Sequence, residues 1–172
     1  HDQTVTRYQT WEEVDAYCRN SANPVGRLVL YLCGYRDPER QALSDSTCTA
    51  LQLANFWQDV SVDLTKDRVY IPGEVMDRHG YTVADLFAGH QDDRFRGVMR
   101  EVVARARDLF HAGLPLVGMV DRRLAIDLDL FSQGGLKILD KVEERGYNVL
   151  LKRPKIGKLE RVGLLLASVI RQ

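Results

Sequence analysis

The chain is punctuated for helices almost from end to end, and no other feature restricts its fold as much. Thr10 and Glu13 form a capping box ahead of WEEVDAYC. Pro24 falls inside the periodic run that follows; without an N–H, and with its ring against the preceding turn, it predicts a kink or break near Asn20–Asn23. Apolar residues resume over Val25–Cys33, and Gly34 is the expected stop. Asp37-Pro38-Glu39 predicts a short helix with Asp37 as N-cap and proline in the first turn. Ser44 or Asp45 is then the expected cap of a long helix reaching about Asp63. LTKDRVYIPGE reads as a loop with a short extended piece, followed by short helices ended by Gly80 and Gly89. Asp92 and Asp93 open a long helix to about Gly113-Leu-Pro115, another is expected from about Arg122 to Arg145, and a last one over roughly 156–170. No pair of alternating runs suggests a hairpin, so the class is all-α, with long helices packed as a bundle or an orthogonal array.

At 172 residues the chain is long enough for a single domain with a real core. Lys and Arg balance Asp and Glu at 24 each, so no overall field calls for a nucleic-acid partner and any electrostatic function is local. Cys18, Cys33 and Cys48 are an odd number at no metal-like spacing, which fits free thiols in a reducing cytoplasmic setting. His1, His79, His90 and His111 make no ligand pattern. The N-terminal stretch is polar with no signal-peptide pattern, and the absence of an initiating Met reads as a processed or partial product. The apolar run at 162–170 is far short of the roughly 20 residues a membrane span needs; it suits a core helix or one lying on a membrane surface.

The stretch QLANFWQDVSVD carries the chemistry. Gln52, Asn55, Asp59 and Asp63 recur at spacings of three, four and four among apolar residues, so they share one helical stripe. Carboxylates at i and i+4 repel one another unless a cation offsets them. Such a pair can hold a hard cation such as Mg²⁺, which takes a few carboxylate oxygens, keeps waters and completes its shell with substrate phosphates. The same spacing also occurs on ordinary solvated helix faces. Asp67 repeats the interval but is expected beyond the helix end. Arg68-Val-Tyr70-Ile-Pro72 puts a cation and a phenol just after the carboxylates; the Arg either holds diphosphate oxygens or caps the helix C-terminus.

A second constellation lies in AYCRNSANPVGRLVL. Tyr17, Ser21 and Pro24/Val25 fall near one face, and Ser21, Ala22 and Gly26 are small enough for a ligand or another helix to come close. Asn20 and Asn23 beside the proline are polar where a tightly packed kinked helix would be apolar, so each needs a hydrogen-bond partner, an ordered water being one.

Together these residues resemble the squalene/phytoene synthase family. QLANFWQDVSVDLTKDRVYIP is similar to that family's second aspartate-rich signature, and YCRNSANPVGRL to its Tyr-Cys helix. The wording of SANPVGRLVLYLCGYRD, TALQLANFWQDV and GGLKIL resembles the hopanoid-pathway hydroxysqualene synthase branch. The resemblance implies an isoprenoid-synthase-like helical bundle of which this chain is the C-terminal part, its N-terminal helices and first DxxxD motif missing, so that the piece alone is expected to be inactive or nearly so. Val62 stands where many relatives have an acidic residue, and Gly135 where some have a Tyr.

The resemblance further implies Mg²⁺ held by Asn55, Asp59 and Asp63, and a diphosphate held by Gln52, Arg68, Lys152 and Arg153. Tyr17 is then expected near the reacting carbons, with Asn20 or Asn23 holding a quenching water, and Ser21, Ala22, Val25, Gly26 and Phe56 in the substrate pocket. The expected reaction converts presqualene diphosphate to hydroxysqualene; head-to-head condensation of two prenyl diphosphates is the alternative. A non-catalytic helical domain that binds partners or lipid is a third reading, with peripheral membrane contact through the C-terminal helix.

Overall fold

The computed structural model describes residues 5–171; His1 and the polar start of the chain lie outside them. Thr10 caps helix α1 (Trp11–Ser21) reciprocally with Glu13, the Glu13 amide donating to the Thr10 hydroxyl at 3.3 Å. The break at Ala22 falls where Pro24 demands it, and α2 (Asn23–Leu32) follows at once. Gly34, at φ +88°, turns the chain out of α2.

Asp37 caps α3 (Pro38–Leu64) by accepting from the Arg40 amide at 2.9 Å. This is one helix, not the expected short helix plus a long one capped at Ser44 or Asp45. Both of those side chains work sideways instead: Ser44 is buried against α2, and Asp45 accepts from Arg27 at 2.9 Å. With the helix already running from Pro38, their amides are satisfied by preceding carbonyls and need no cap.

After the site loop come α4 (Gly73–Arg78) and α5 (Val83–Phe87), ended by Gly80 and Gly89 at φ +62° and +73°. Asp92 caps α6 (Asp93–Gly113), and Asp121 caps α7 (Arg122–Glu144). Between them Leu114–Met119 forms a 3-10 segment that the sequence reading did not anticipate. The last helix is α8 (Lys158–Arg171). Among the described residues, β structure is limited to one parallel bridge between Arg7 and Val69, and no helix is long and apolar enough to cross a membrane.

Helix α3 is the spine, packing on α6, α7, α2 and α1. The α3–α6 contact is close because Gly113 has no side chain: a Cβ there would lie 2.1 Å from the Thr47 hydroxyl. Trp57, Phe95, Met99 and Phe110 fill the main core without measurable exposure or nearly so, and a smaller cluster forms around Leu30, Leu116 and Leu124. Full burial of a Phe such as Phe95 or Phe110 contributes about 1.5–3 kcal/mol. These contacts fix the C-terminal turns of α3, which carry the carboxylates. Cys18, Cys33 and Cys48 are all free thiols, and burial pushes the Cys18 thiol up to about 12, with the Asp15 charge adding to it.

Candidate active site

Asp59 and Asp63 occupy successive turns at the end of α3, half-buried, with half-buried Gln52 and exposed Asn55 further back along the helix. Burial pushes the Asp63 carboxyl above its ordinary range and the Asp59 charge adds to this, while Lys66, Arg68 and Arg153 pull it back. The Lys66 ammonium stands 3.9 Å from Asp63.

The chain then doubles back under the helix end. The Asp63 carbonyl accepts from the amides of Lys66 at 2.9 Å and Arg68 at 3.0 Å. Asp67 takes a left-handed φ of +54°, which an aspartate tolerates better than most residues. Asp67 is beyond the helix, as expected, and pairs with Arg7 rather than joining the acidic stripe. The Val69 amide donates to the Thr6 carbonyl at 2.9 Å, tying the loop to the N-terminal segment. Arg68 is thereby carried back beside Asp63. The two line a slot of about 10 Å³ with Phe56 and Tyr70, room for about one water. Arg68 donates to the Tyr70 hydroxyl at 3.4 Å.

A further cation comes from the segment between α7 and α8. Arg153 forms a close ion pair with Asp59 through its Nε, and its Nη2 lies 3.0 Å from the second carboxylate oxygen and 3.3 Å from Gln58 Oε1. Gln58 in turn donates to the Pro154 carbonyl. Two consecutive residues of α3 therefore grip two consecutive residues of the distant segment, and Asp59 meets a guanidinium fork. Lys152 is exposed, and it is its carbonyl that the structure engages, accepting from Arg145 at 3.2 Å.

Beside the carboxylates stands an aromatic wall. Tyr70 stacks on Phe56 with centroids 3.7 Å apart and on Tyr8 at 5.6 Å. Tyr17 lies 5.7–5.8 Å from the rings of Tyr8, Phe56 and Tyr70. Tyr17 also lines an open groove of about 770 Å³ together with Arg7, Tyr8, Ala16, Asn20 and Ser21. The Tyr-Cys helix and the aspartate helix thus meet at one place, as the resemblance implied.

The remaining expected residues divide. Asn20 Nδ2 donates to the Ala16 carbonyl and the Ser21 hydroxyl to the Tyr17 carbonyl, both at 2.8 Å and both at the groove. Asn23 is buried and accepts from the Thr49 hydroxyl at 3.0 Å, on the side facing α3. Ala22 is half-buried at the break between α1 and α2, and Val25 is exposed. Gly26 is where α2 touches α3: a Cβ there would lie 2.4 Å from the Ser44 hydroxyl and 2.5 Å from the Cys48 sulfur. Its smallness is used for helix packing. Gly135 is likewise covered, by the Phe110 ring.

Two participants escaped the sequence reading. Tyr8 precedes the capping box and joins the wall through the Arg7–Val69 bridge, for which no local signal exists. Gln58 did leave one: a polar residue between Trp57 and Asp59 on a face that is otherwise buried.

The donors fit a divalent cation in one way and not another. Among the described residues no group of three or more His, Cys, Asp or Glu side chains is placed to close around a metal. Two carboxylates and an amide, all oxygen donors, suit instead one wall of an open site for a hard cation that keeps water and phosphate ligands. The Asp63 carboxyl is raised first by burial, while Lys66, Arg68 and Arg153 already stand near it and pull it down.

The family model described as squalene/phytoene synthase matches residues 1–160. A phytoene synthase of Thermus thermophilus is 36% identical over 160 residues, covering 92% of this chain and 54% of the relative. A hydroxysqualene synthase of Sinorhizobium fredii is 35% identical over 170 residues, covering 98% and 56%. Among solved structures, the squalene synthase HpnC of Alicyclobacillus acidocaldarius superposes with a TM-score of 0.84 at 45% identity, covering 86% of this chain and 56% of that one. A dehydrosqualene synthase reaches 0.90 at 20% identity, a likeness of fold. The chain spans a little over half the length of these curated relatives.

Proposed function

This chain belongs to the squalene/phytoene synthase family, and from that membership we propose that it serves Mg²⁺-dependent isoprenoid diphosphate chemistry, converting presqualene diphosphate to hydroxysqualene. The observation that carries this is the convergence of Asp59 and Asp63 with Arg68 and Arg153 beside an aromatic wall and an open groove. When bound, Mg²⁺ neutralises the departing diphosphate. Arg68 and Arg153 donate charge-assisted hydrogen bonds to the diphosphate oxygens as the carbon–oxygen bond breaks and its electron pair leaves with the phosphate. Exposed Lys152 and half-buried Gln52, further back on α3, complete the proposed diphosphate-binding set.

The carbocation left behind faces Tyr17 and Tyr8 at the groove, whose rings stabilise positive charge, with the stacked and buried Phe56 and Tyr70 behind them. Ser21 and Ala22 keep the adjoining helix surface small. Asn20 is the better placed of the two asparagines to hold the quenching water: Nδ2 is spent on Ala16, so Oδ1 remains to accept from a water in the groove. Asn23 is committed to Thr49. Water addition releases a proton, and Tyr17 is the neighbouring hydroxyl that can pass it to diphosphate.

The second reading is head-to-head condensation of two prenyl diphosphates, favoured by the equal likeness to a phytoene synthase. A chimera separates them: these 172 residues replace the matching span of the Sinorhizobium fredii hydroxysqualene synthase. Presqualene diphosphate is expected to yield hydroxysqualene without a reductant, and Asp59→Asn to cut the yield by about 100-fold or more. Product formed from farnesyl diphosphate alone, as presqualene diphosphate and nothing further, would establish the second reading. No ionisation of any prenyl diphosphate would reject both.

A further inference from the structure

The turn that ends α7 is held in an uncommon shape. Gly146 and Tyr147 are both left-handed, at φ +59° and +63°, a conformation that glycine adopts freely and a bulky residue rarely does. The Val142 carbonyl fixes the turn by accepting from the Tyr147 amide at 2.9 Å, and the Tyr147 carbonyl accepts from the Val149 amide at 2.9 Å. Tyr147 and Asn148 thereby line a cleft of about 330 Å³ together with Arg145, and Gln91 and Arg96 line it from the region where α6 begins. The slot at Asp63 and the groove at Tyr17 are lined by other residues.

No carboxylate lines this cleft. Arg145 donates to the Lys152 carbonyl at 3.2 Å and forms no ion pair among the described residues; its neighbours Glu143 and Glu144 are turned instead to Arg107 at 3.0 Å and Lys137 at 3.6 Å. Arg96 meets Asp93 at 3.1 Å, but the Asp93 side chain is 96% exposed, so that pair is screened and easily exchanged. A third guanidinium, Arg100, stands over the Tyr147 ring, 5.9 Å from its centroid. Asn148 Oδ1 is shut away from solvent without a hydrogen-bond partner, so the end of the amide that the cleft receives is the Nδ2 donor. Guanidinium and amide donors with little counter-charge suit a phosphate group. A bare phosphate would leave most of the space to water, whereas clefts of about 300–1,000 Å³ hold small organic ligands.

We propose that the cleft between the end of α7 and the start of α6 binds a small organic phosphate monoester, with Arg96 and Arg145 on the phosphate and Asn148 Nδ2 donating to the ester or its carrier. The site adjoins the segment that reaches the carboxylates: Arg145 holds the Lys152 carbonyl, and the next residue, Arg153, is the partner of Asp59. A phosphate that draws Arg145 to itself takes one hydrogen bond away from that segment. The binding does not depend on the proposed reaction.

The test is an NMR titration of the isotope-labelled chain, without Mg²⁺, with glycerol phosphate and with adenosine monophosphate; inorganic phosphate, glycerol and adenosine are the controls. Amide signals of 91–96 and 145–148 are expected to shift saturably with at least one of the two esters, about tenfold more weakly with inorganic phosphate, and not with glycerol or adenosine. Arg96→Gln and Arg145→Gln should each weaken binding about fivefold or more, and both side chains are exposed, so the fold is kept. Asn148→Ala should weaken binding about threefold without lowering the urea midpoint, because it removes a buried acceptor that has no partner. Arg68→Gln, at the carboxylates, should bind the ester as the parent does. The proposal is overturned if neither ester moves these amides at millimolar concentration, or if inorganic phosphate binds as tightly. It is equally overturned if the shifts centre on 66–70 and 153–157 and are abolished by Arg68→Gln rather than by Arg145→Gln, or if Asn148→Ala lowers the midpoint and leaves binding unchanged.

Discussion

Gly134 and Gly135 are neighbours on α7 with opposite surroundings. A Cβ on Gly135 would meet the Phe110 ring at 2.1 Å, whereas one on Gly134 would meet nothing within 4 Å. Phe110 is fully buried and has nowhere to go. Gly135→Ala is therefore expected to cost about 1–3 kcal/mol by overpacking, and Gly134→Ala to add about 0.5–1 kcal/mol from helix propensity. Urea denaturation of the two variants checks both signs; equal effects would mean that Phe110 yields. The same contact accounts for the absence of a side chain at Gly135. Arg153 presents a different case, because it occupies the carboxylate that a cation would use. Arg153→Gln should strengthen binding of Mg²⁺ alone, by freeing Asp59. It should weaken binding of pyrophosphate with Mg²⁺ by about tenfold or more, by removing charge-assisted hydrogen bonds. Calorimetry with each ligand separates the effects, and a variant that matches the parent in both would remove Arg153 from the site.

Helix α8 depends on charge pairs where the other helices depend on apolar packing. Burial alone would raise the Asp129 carboxyl, but hydrogen bonds from Arg171, Ser168 and Gln133 outweigh it and hold the group below its ordinary range. A carboxylate with a depressed folded value stabilises the fold above the unfolded value near about 3.9. That contribution fades as pH falls through the folded value, so α8 should loosen in acid and stay docked at neutral pH. Asp129→Asn should remove this acid dependence and cost about 1–2 kcal/mol, the half-exposed Arg171 limiting the loss. The pH dependence of stability in urea checks it, and an unchanged acid limb would assign the loosening elsewhere. Elements were the most legible scale in the sequence, because a cap is a local event: Thr10 with Glu13, Asp37, Asp92 and Asp121 each bond amides two or three residues away. Ser44 shows where that reasoning fails. A serine that caps and a serine buried against a neighbouring helix look alike until the neighbour is in place, and the neighbour here is Gly26. The exposure of Leu159 and Ile170 on α8 was equally hidden, since periodicity shows that a helix has an apolar side without showing which way it faces.

At the scale of the molecule, the candidate site is assembled from three stretches far apart in sequence. Asp59 and Arg153 are separated by 94 positions, and Arg7 and Asp67 by 60. Asp59, Asp63 and Arg68 were readable because they lie on one helix and its following loop. Arg153 was readable as a candidate only through the family resemblance, and Tyr8 not at all, because their places depend on packing between helices. Cooperative structure and site geometry are therefore unevenly distributed. Helices α3 and α6 supply half of the buried residues of the main core, while α8 fully buries Ser168 alone among its described residues. Local opening free energy follows buried contact, so amide hydrogen exchange should be slowest in α3 and α6 and much faster in α8. Segment 153–157 links the two regimes: it is held to α3 by Gln58 and Asp59 at one end and runs into α8 at the other. Pyrophosphate with Mg²⁺ at Asp59 must rearrange the Arg153 contacts, so exchange should change at 66–70 and 153–157 while α6 stays as it was. Exchange mass spectrometry with and without the ligand reads this response. If pyrophosphate with Mg²⁺ changed protection evenly along the chain, the geometry around Arg153 would have to be understood as part of the core.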